Sequence, residues 1–317
     1  MMKVVSLVDN VSRCSSLGAE HGMSLYVELD CGARILFDTG QGNLFADNAA
    51  SLGIDLSEID LAVISHGHYD HAGGLATFLA INSKAPVYIR ESAFGKHYSL
   101  KDSGMKSIGV DRPSDAGRLI YCRDIEYLPY GIILFSNPSY DFPDPPGNRF
   151  LFGPDSCTHD SFSHEQSMLI TGCSSSLVAD YPTHSVLFAG CAHRGIVNIL
   201  SRAQSLAPDQ VTAVFSGMHI KSLYEVRGSS SSSPSSPSPS PSVHISSNSR
   251  AGTAALRDCV SGLDAGQYSA DLAAALVSFE GVRYYTMHCT GEAGFSHLAG
   301  LMPGRIAYLS CGDSVIL

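Results

Sequence analysis

Two series of short apolar runs limit what this 317-residue chain can become. The first is VVSLV (4–8), SLYVEL (24–29), ARILF (33–37), LAVIS (61–65) and PVYIR (86–90). The second is GIILF (131–135), SMLIT (167–171), SVLFA (185–189), VTAVF (211–215), VRYYTM (282–287) and RIAYL (305–309). They are rich in Val, Ile and Tyr and bounded by Gly, Asp and Asn, so they read as strands. Helical spacing lies between them. Ile196, Ile199, Leu200 and Ala203 fall at i, i+3, i+4 and i+7, and LATFLAI follows the fourth run. Leu272, Leu276 and Phe279 mark a further helix that Ser269 is placed to cap. With 44% hydrophobic residues the chain can bury both series as sheets held between outer helices.

Two stretches depart from that pattern. Residues 228–242, GSSSSSPSSPSPSPS, are almost wholly Ser and Pro and cannot bury apolar area. Residues 228 to about 250 are therefore expected to be a disordered insertion within one domain spanning 1–317, not a boundary between two. Residues 91–163 are irregular, and NPSYDFPDPPGNRF within them is expected to be a loop, because its prolines lack the N–H that strands and helices need. A long loop of this kind commonly shapes a substrate pocket.

Charge narrows the partners. Lys+Arg 20 against Asp+Glu 30 gives a net charge of −10, without basic runs, which argues against nucleic acid and against anionic membranes. No apolar run reaches the roughly 18 residues of a membrane span, and the start has no signal-peptide core. The cysteines, nine in all, include no CxxC pair, as expected of reduced thiols in a cytoplasmic protein.

The run LAVIS leads into SHGHYDHAGG, residues 65–74. His66 and His68 are two apart, so in extended backbone their rings project the same way, while Asp70 and His71 follow after the chain has turned. The loop can thus offer two ligands to one metal and two to a neighbour. Imidazole with carboxylate suits zinc, and also iron or manganese.

HGHYDH resembles the HxHxDH signature of the metallo-β-lactamase superfamily. AEHGMSLYVEL, ILFDTGQG, HEQSMLI, FAGCAHRGIVNIL and MHCTG extend the resemblance to one branch of it. That branch contains the 7,8-dihydropterin-6-methyl-4-(β-D-ribofuranosyl)aminobenzene-5′-phosphate synthase and many metal-dependent hydrolases. The resemblance implies an α/β fold, an αββα sandwich of two mixed sheets flanked by helices, with two divalent metals at the sheet edge. It implies ligands beyond His66, His68, Asp70 and His71. His164 precedes a strand. Cys191 stands where the superfamily usually has Asp, as a thiolate ligand or an inert buried thiol. His193 is a ligand or pocket residue. His288 is favoured over His219 for the last position, which leaves His219 to line the pocket. Asp38 is expected to orient a ligand histidine and His21 to face the pocket; histidines 97, 159, 184, 244 and 297 are expected at the surface.

The chemistry expected is hydrolysis of a small ester or phosphoester by a metal-activated hydroxide, with Asp70 holding a metal and orienting that water. The helix start after His193, aided by Arg194, is placed to hold a phosphate or carboxylate. The alternatives are a transferase of the dihydropterin type, in which an aromatic amine displaces diphosphate, and a metal-binding sensor without turnover. Oligomeric state is left open by the sequence. Deleting Ser229 to Ser242 is expected to leave metal content and melting temperature nearly unchanged; loss of metal on deletion would show that the segment is structural.

Overall fold

The computed structural model describes residues 1–101, 103–114, 116–138, 141–172, 184–225 and 265–317. The Ser/Pro stretch and His244 lie outside them. One sheet runs, in spatial order, β17 (Ser314–Ile316), β1 (Lys3–Val8), β2 (Ser24–Glu28), β3 (Arg34–Phe37), β4 (Leu61–Val63), β5 (Val87–Ile89) and β8 (Leu119–Tyr121). The other runs β16 (Ile306–Tyr308), β15 (Arg283–Thr286), β14 (Val211–Ser216), β13 (Ser185–Phe188), β12 (Ser167–Ile170), β10 (Ile132–Phe135) and β9 (Ile125–Leu128). Both sheets are mixed. Pairing is antiparallel from β17 to β3 and parallel from β3 to β8. In the second sheet it is parallel from β16 to β13 and antiparallel from β13 to β9.

Alternation along the strands builds three apolar layers. In β3, Ile35 and Phe37 face the space between the sheets while Leu36 faces outward. In β10, Ile132 and Leu134 face inward, Ile133 and Phe135 outward. The inward faces meet in a core where Phe188 stacks on Phe215 at 5.0 Å and lies 6.0 Å from Phe37 of the opposite sheet. Phe45 of α1 (Leu44–Ser51) and Phe78 of α3 (Leu75–Ile81) cover the outer face of the first sheet. Helices α4 (Ile196–Leu206), α6 (Ala265–Ser278) and α7 (Gly291–Leu301) cover the second. The central strands, such as β4, β10, β12 and β13, are buried on both faces, which explains runs that are apolar throughout rather than alternating. The αββα arrangement expected from the sequence is the one observed. Among the described residues no helix is long and apolar enough to cross a membrane, and the cysteines are free thiols.

The structure corrects three local expectations. Residues 91–163 are less irregular than expected: besides β10, which GIILF places, they hold β8, β9 and a small separate sheet of β11 (Leu151–Phe152), β6 (Tyr98–Lys101) and β7 (Gly104–Ser107). Pro146 begins a 3₁₀ helix, Pro146–Phe150, instead of excluding one, because a proline at the first helical position gives up an N–H that has no partner there anyway. Ser269 lies inside α6, where its hydroxyl bonds the Tyr224 hydroxyl at 2.7 Å, and so does not cap it.

Phe188→Ala would empty a fully buried site between two rings, Phe37 and Phe215. It is expected to cost about 3–5 kcal/mol, read as a lower urea midpoint at unchanged slope. A loss below ~1 kcal/mol would contradict the packing described.

Candidate metal centre

The polar residues of the molecule gather where strands end. The peptide after β3 carries Asp38, that after β4 carries Ser65 to His71, and that after β13 carries Cys191 and His193. His219 follows β14, His288 follows β15, and Asp9 and Asn10 follow β1. Crevices beyond the carboxyl ends of parallel strands are where open α/β sheets leave room for ligands. The turns there are tight. Asp38, Ala192, His219 and His288 adopt left-handed φ of 61°, 54°, 48° and 51°, a conformation non-glycine residues hold only where the surroundings impose it. Gly190 has no alternative, since a Cβ there would collide with Ser65 Oγ of the facing loop.

Second partners fix which nitrogen of each imidazole carries the proton. The Ser65 hydroxyl donates to Asp38 Oδ2 at 2.7 Å, so His66 Nδ1–H donates to Ser65 Oγ at 2.9 Å. His71 Nδ1–H donates to Asp38 Oδ2 at 2.7 Å. Asn148 grips His193 twice: its amide N–H donates to the His193 carbonyl at 2.7 Å, and its Oδ1 accepts His193 Nδ1–H at 3.0 Å. Asn10 does the same for His288, at 3.0 Å to the carbonyl and 2.9 Å from Nδ1. Asp9 adds a bond from the His288 N–H at 2.6 Å. In His66, His193 and His288 Nε2 is left as a bare lone pair, and His71 directs its Nε2 into the same space.

Those lone pairs converge. His66 Nε2 lies 3.4 Å from His193 Nε2, and His68 joins them with ligating atoms all within 4.8 Å. His71 Nε2 lies 3.1 Å from Cys191 Sγ, and these two group with His66. His288 Nε2 lies 3.3 Å from Asp70 Oδ2, and His21 Nε2 lies 3.2 Å from the same oxygen. Cys289, beside Cys191 and His288, adds a second buried thiol. Tetrahedral ligands at 2.0–2.1 Å from a metal are about 3.3–3.4 Å apart, so two proton-free nitrogens at 3.4 Å suit a shared cation and repel without one. The set fits transition metals: imidazole nitrogens, one carboxylate, one thiol, with His288 Nε2 buried and lacking any hydrogen-bond partner.

Electrostatics agree. Burial, reinforced by neighbouring imidazoles, pushes His66 and His193 well below the ordinary histidine range and His288 to about 3. Burial would lift Asp70, but the imidazoles of His21 and His288 beside it outweigh burial and hold the carboxyl well below its usual range. Burial would lower His71; the charge and hydrogen bond of Asp38 outweigh it and carry the ring to about 9. Burial, with Cys289 alongside, holds the Cys191 thiol well above its usual range, so without a cation it keeps its proton.

Other positions fall differently. His164 lies apart from the His66–His193 pair, in a buried group with His68, His97 and Asp160. His97 is thus not a surface residue; it is 4% exposed and donates Nδ1–H to Asp160 Oδ2 at 2.8 Å. His219 packs on the His193 ring at 4.4 Å, one residue removed from the centre, whereas His288 lies in it. His21 stacks on His288 at 4.7 Å with a side chain 44% exposed, and marks the open side. The helix after His193 begins at Ile196, with Gly195 as its cap residue. In the turn before it the buried Glu165 accepts the N–H groups of His193 and Arg194 at 2.7 and 2.9 Å, so those two donors serve an internal carboxylate. Asn10, Ser65, Asn148 and Asp160 carry no sequence signature; each is recognised only by the ring beside it.

A profile of the Metallo-beta-lactamase superfamily matches residues 17–215. The chain belongs to that superfamily. An uncharacterised protein of Methanocaldococcus jannaschii is 29% identical over 234 residues, 69% of this chain and 79% of the relative. The 7,8-dihydropterin-6-methyl-4-(beta-D-ribofuranosyl)-aminobenzene-5'-phosphate synthase of the same organism is 25% identical over 237 residues, 69% of this chain and 78% of that one. Among solved structures, a metal-dependent hydrolase of the beta-lactamase superfamily superposes with a TM-score of 0.69 at 22% identity, covering 100% of this chain and 99% of the other. That likeness establishes the fold.

Two outcomes follow from the locked imidazoles. Asp38→Asn removes the charge that orients His71 and is expected to weaken metal binding about 10–100-fold, read by chelator competition. Buried histidines that stay neutral when folded but protonate near 6.5 when unfolded destabilise the metal-free protein as pH falls. His164 is held at about 4, and His219 and His288 at about 3. Stability of the chelator-treated protein is therefore expected to fall steadily from pH 6.5 towards pH 4, while His71, held at about 9, adds stability that is complete below pH 6.5 and is lost as pH rises through 9. A flat urea midpoint between pH 7.5 and 5 would contradict the burial of neutral rings.

Proposed function

We propose that this chain is a metal-dependent hydrolase of a small ester or phosphoester, with two divalent metals in adjacent sites. His66, His68 and His193 would hold one; Asp70, His71 and His288 would hold the other, with Cys191 between His71 and His66 as a thiolate ligand. The observation that carries this reading is the orientation of four buried Nε2 atoms, each fixed from behind by Ser65, Asp38, Asn148 or Asn10. Such metals supply Lewis acidity towards a substrate oxygen and acidify water near neutral pH. Zinc fits the donor set, and iron or manganese also accept imidazole and carboxylate.

The residues of the chain do the rest. Asp70 is the least buried of the acidic ligands, at 7%, and lies beside the half-exposed His21. A substrate reaching the centre therefore passes His21, which can donate or accept a hydrogen bond there. His219 backs the His193 ring. Glu165 takes the N–H groups of His193 and Arg194, which precede the helix, so the first turn from Ile196, with Arg194 beside it, is where an anionic substituent would be held.

A transferase reading is supported by the 25% identical relative named as a synthase. The two reactions separate by product. Given a pterin diphosphate alone, a hydrolase releases diphosphate at full rate, whereas a transferase releases it only once an aromatic amine is added. A sensor without turnover would bind metal and convert neither that compound nor simple aryl esters and phosphodiesters. The expected result is hydrolysis of at least one ester or phosphodiester that chelation abolishes and zinc or manganese restores. His193→Ala and His71→Ala are expected to reduce it to background. Turnover that survives both substitutions would remove the proposal.

A further inference from the structure

We infer that Asp160 and His164 are positioning residues that hold the His68 ring and the Gly67 peptide, and that the buried His68–His97–Asp160–His164 cluster is not a third metal site. By spacing alone it looks like one, since its ligating atoms lie within 4.8 Å of one another and all four residues are buried. The hydrogen bonds decide otherwise. The Gly67 N–H can only donate, and it donates to His164 Nδ1 at 3.0 Å. A neutral His164 must then carry its proton on Nε2, which faces Asp160 Oδ2 at 3.2 Å. A ring in that state has no lone pair left for a metal; binding one would require an imidazolate.

Asp160 has the partners of an orienting carboxylate. Its Oδ2 takes His97 Nδ1–H and His164 Nε2–H, and its Oδ1 takes the Phe162 N–H at 2.8 Å. Burial alone would raise this carboxyl; the imidazole hydrogen bonds outweigh burial and hold it far below the usual range. His68 Nε2, buried and without a hydrogen-bond partner, lies 3.9 Å from the same Oδ2. A small rotation of His68 would bring its N–H onto Asp160, the arrangement in which the back nitrogen of a metal-binding histidine rests on a carboxylate. Gly67 joins His66 to His68, so the Gly67–His164 bond sets the peptide between two of the proposed ligands. His97 leads into β6 and Tyr69 N–H donates to the Ile108 carbonyl at 2.8 Å, so the same network ties the small sheet to the metal loop.

This inference rests on His66, His68 and His193 being ligands, and the test separates the two claims. The full chain is stripped and titrated with Co(II), following stoichiometry, affinity and the visible ligand-field bands. Wild type is expected to bind two equivalents. Asp160→Asn and His164→Leu are expected to keep two equivalents at saturation, with one site weakened about 10–100-fold and its bands altered. His164→Gln restores both an acceptor for Gly67 and a donor to Asp160 but is a poor metal ligand, so it is expected to stay within about threefold of wild type. Three equivalents in wild type, or one equivalent lost in His164→Gln, would make the cluster a metal site and overturn the inference. A lower melting temperature in Asp160→Asn with unchanged Co(II) affinity and bands would reduce the cluster to a structural role and overturn it as well. Failure of wild type to bind Co(II) at all would instead remove the underlying ligand assignment, and the inference with it.

Discussion

Two buried imidazole nitrogens, His66 Nε2 and His193 Nε2, point at each other across 3.4 Å, and neither carries a proton. They come from different sheets, one from the loop after β4 and the other from the loop after β13. In a medium of low polarity that contact is repulsive unless a cation lies between. Everything around it serves to keep the lone pairs there. Ser65 and Asn148 hold the back nitrogens, Glu165 pins the His193 N–H, and the left-handed Ala192 turns the chain between Cys191 and His193. The sandwich supplies the rigid strand ends from which such loops can face one another.

The same device appears twice. Asn148 and Asn10 each clasp a histidine by its carbonyl and its Nδ1–H, and the two clasped rings, His193 and His288, lie on opposite sides of the proposed pair of sites. Clamping both backbone and ring removes the freedom of the side chain before any metal arrives, so less ordering entropy is lost on binding. Asn10 belongs to the segment after β1 and His288 to the segment after β15, so the second site is completed by the two ends of the described chain. Asp9 reinforces that junction by accepting from the His288 N–H and from the Tyr308 hydroxyl at 3.1 Å.

Legibility in the sequence followed the range of the interactions. Strands buried on both faces leave continuous apolar runs, and β3, β10 and β13 fall within a residue or so of where ARILF, GIILF and SVLFA place them. HGHYDH is contiguous, so four of the proposed ligands can be read together. The partners of those ligands cannot, because they are defined by contact across the fold: Asn148 lies 45 residues from His193, and Asn10 lies 278 from His288. His97 and Asp160 meet across 63 residues inside a stretch whose prolines mask its short strands. Glu165 is another such partner, meeting the His193 and Arg194 N–H groups from 28 and 29 residues away.

Anomalous scattering from crystals grown with zinc or manganese, collected on either side of the metal absorption edge, is the most direct measurement of this account. It predicts two peaks about 3.5–4 Å apart. One would touch His66, His68 and His193, the other Asp70, His71 and His288, with Cys191 Sγ against at least one of them and no peak beside Asp160. A single peak within the Asp160 cluster, or well-ordered empty density between His66 and His193 at saturating metal, would contradict it.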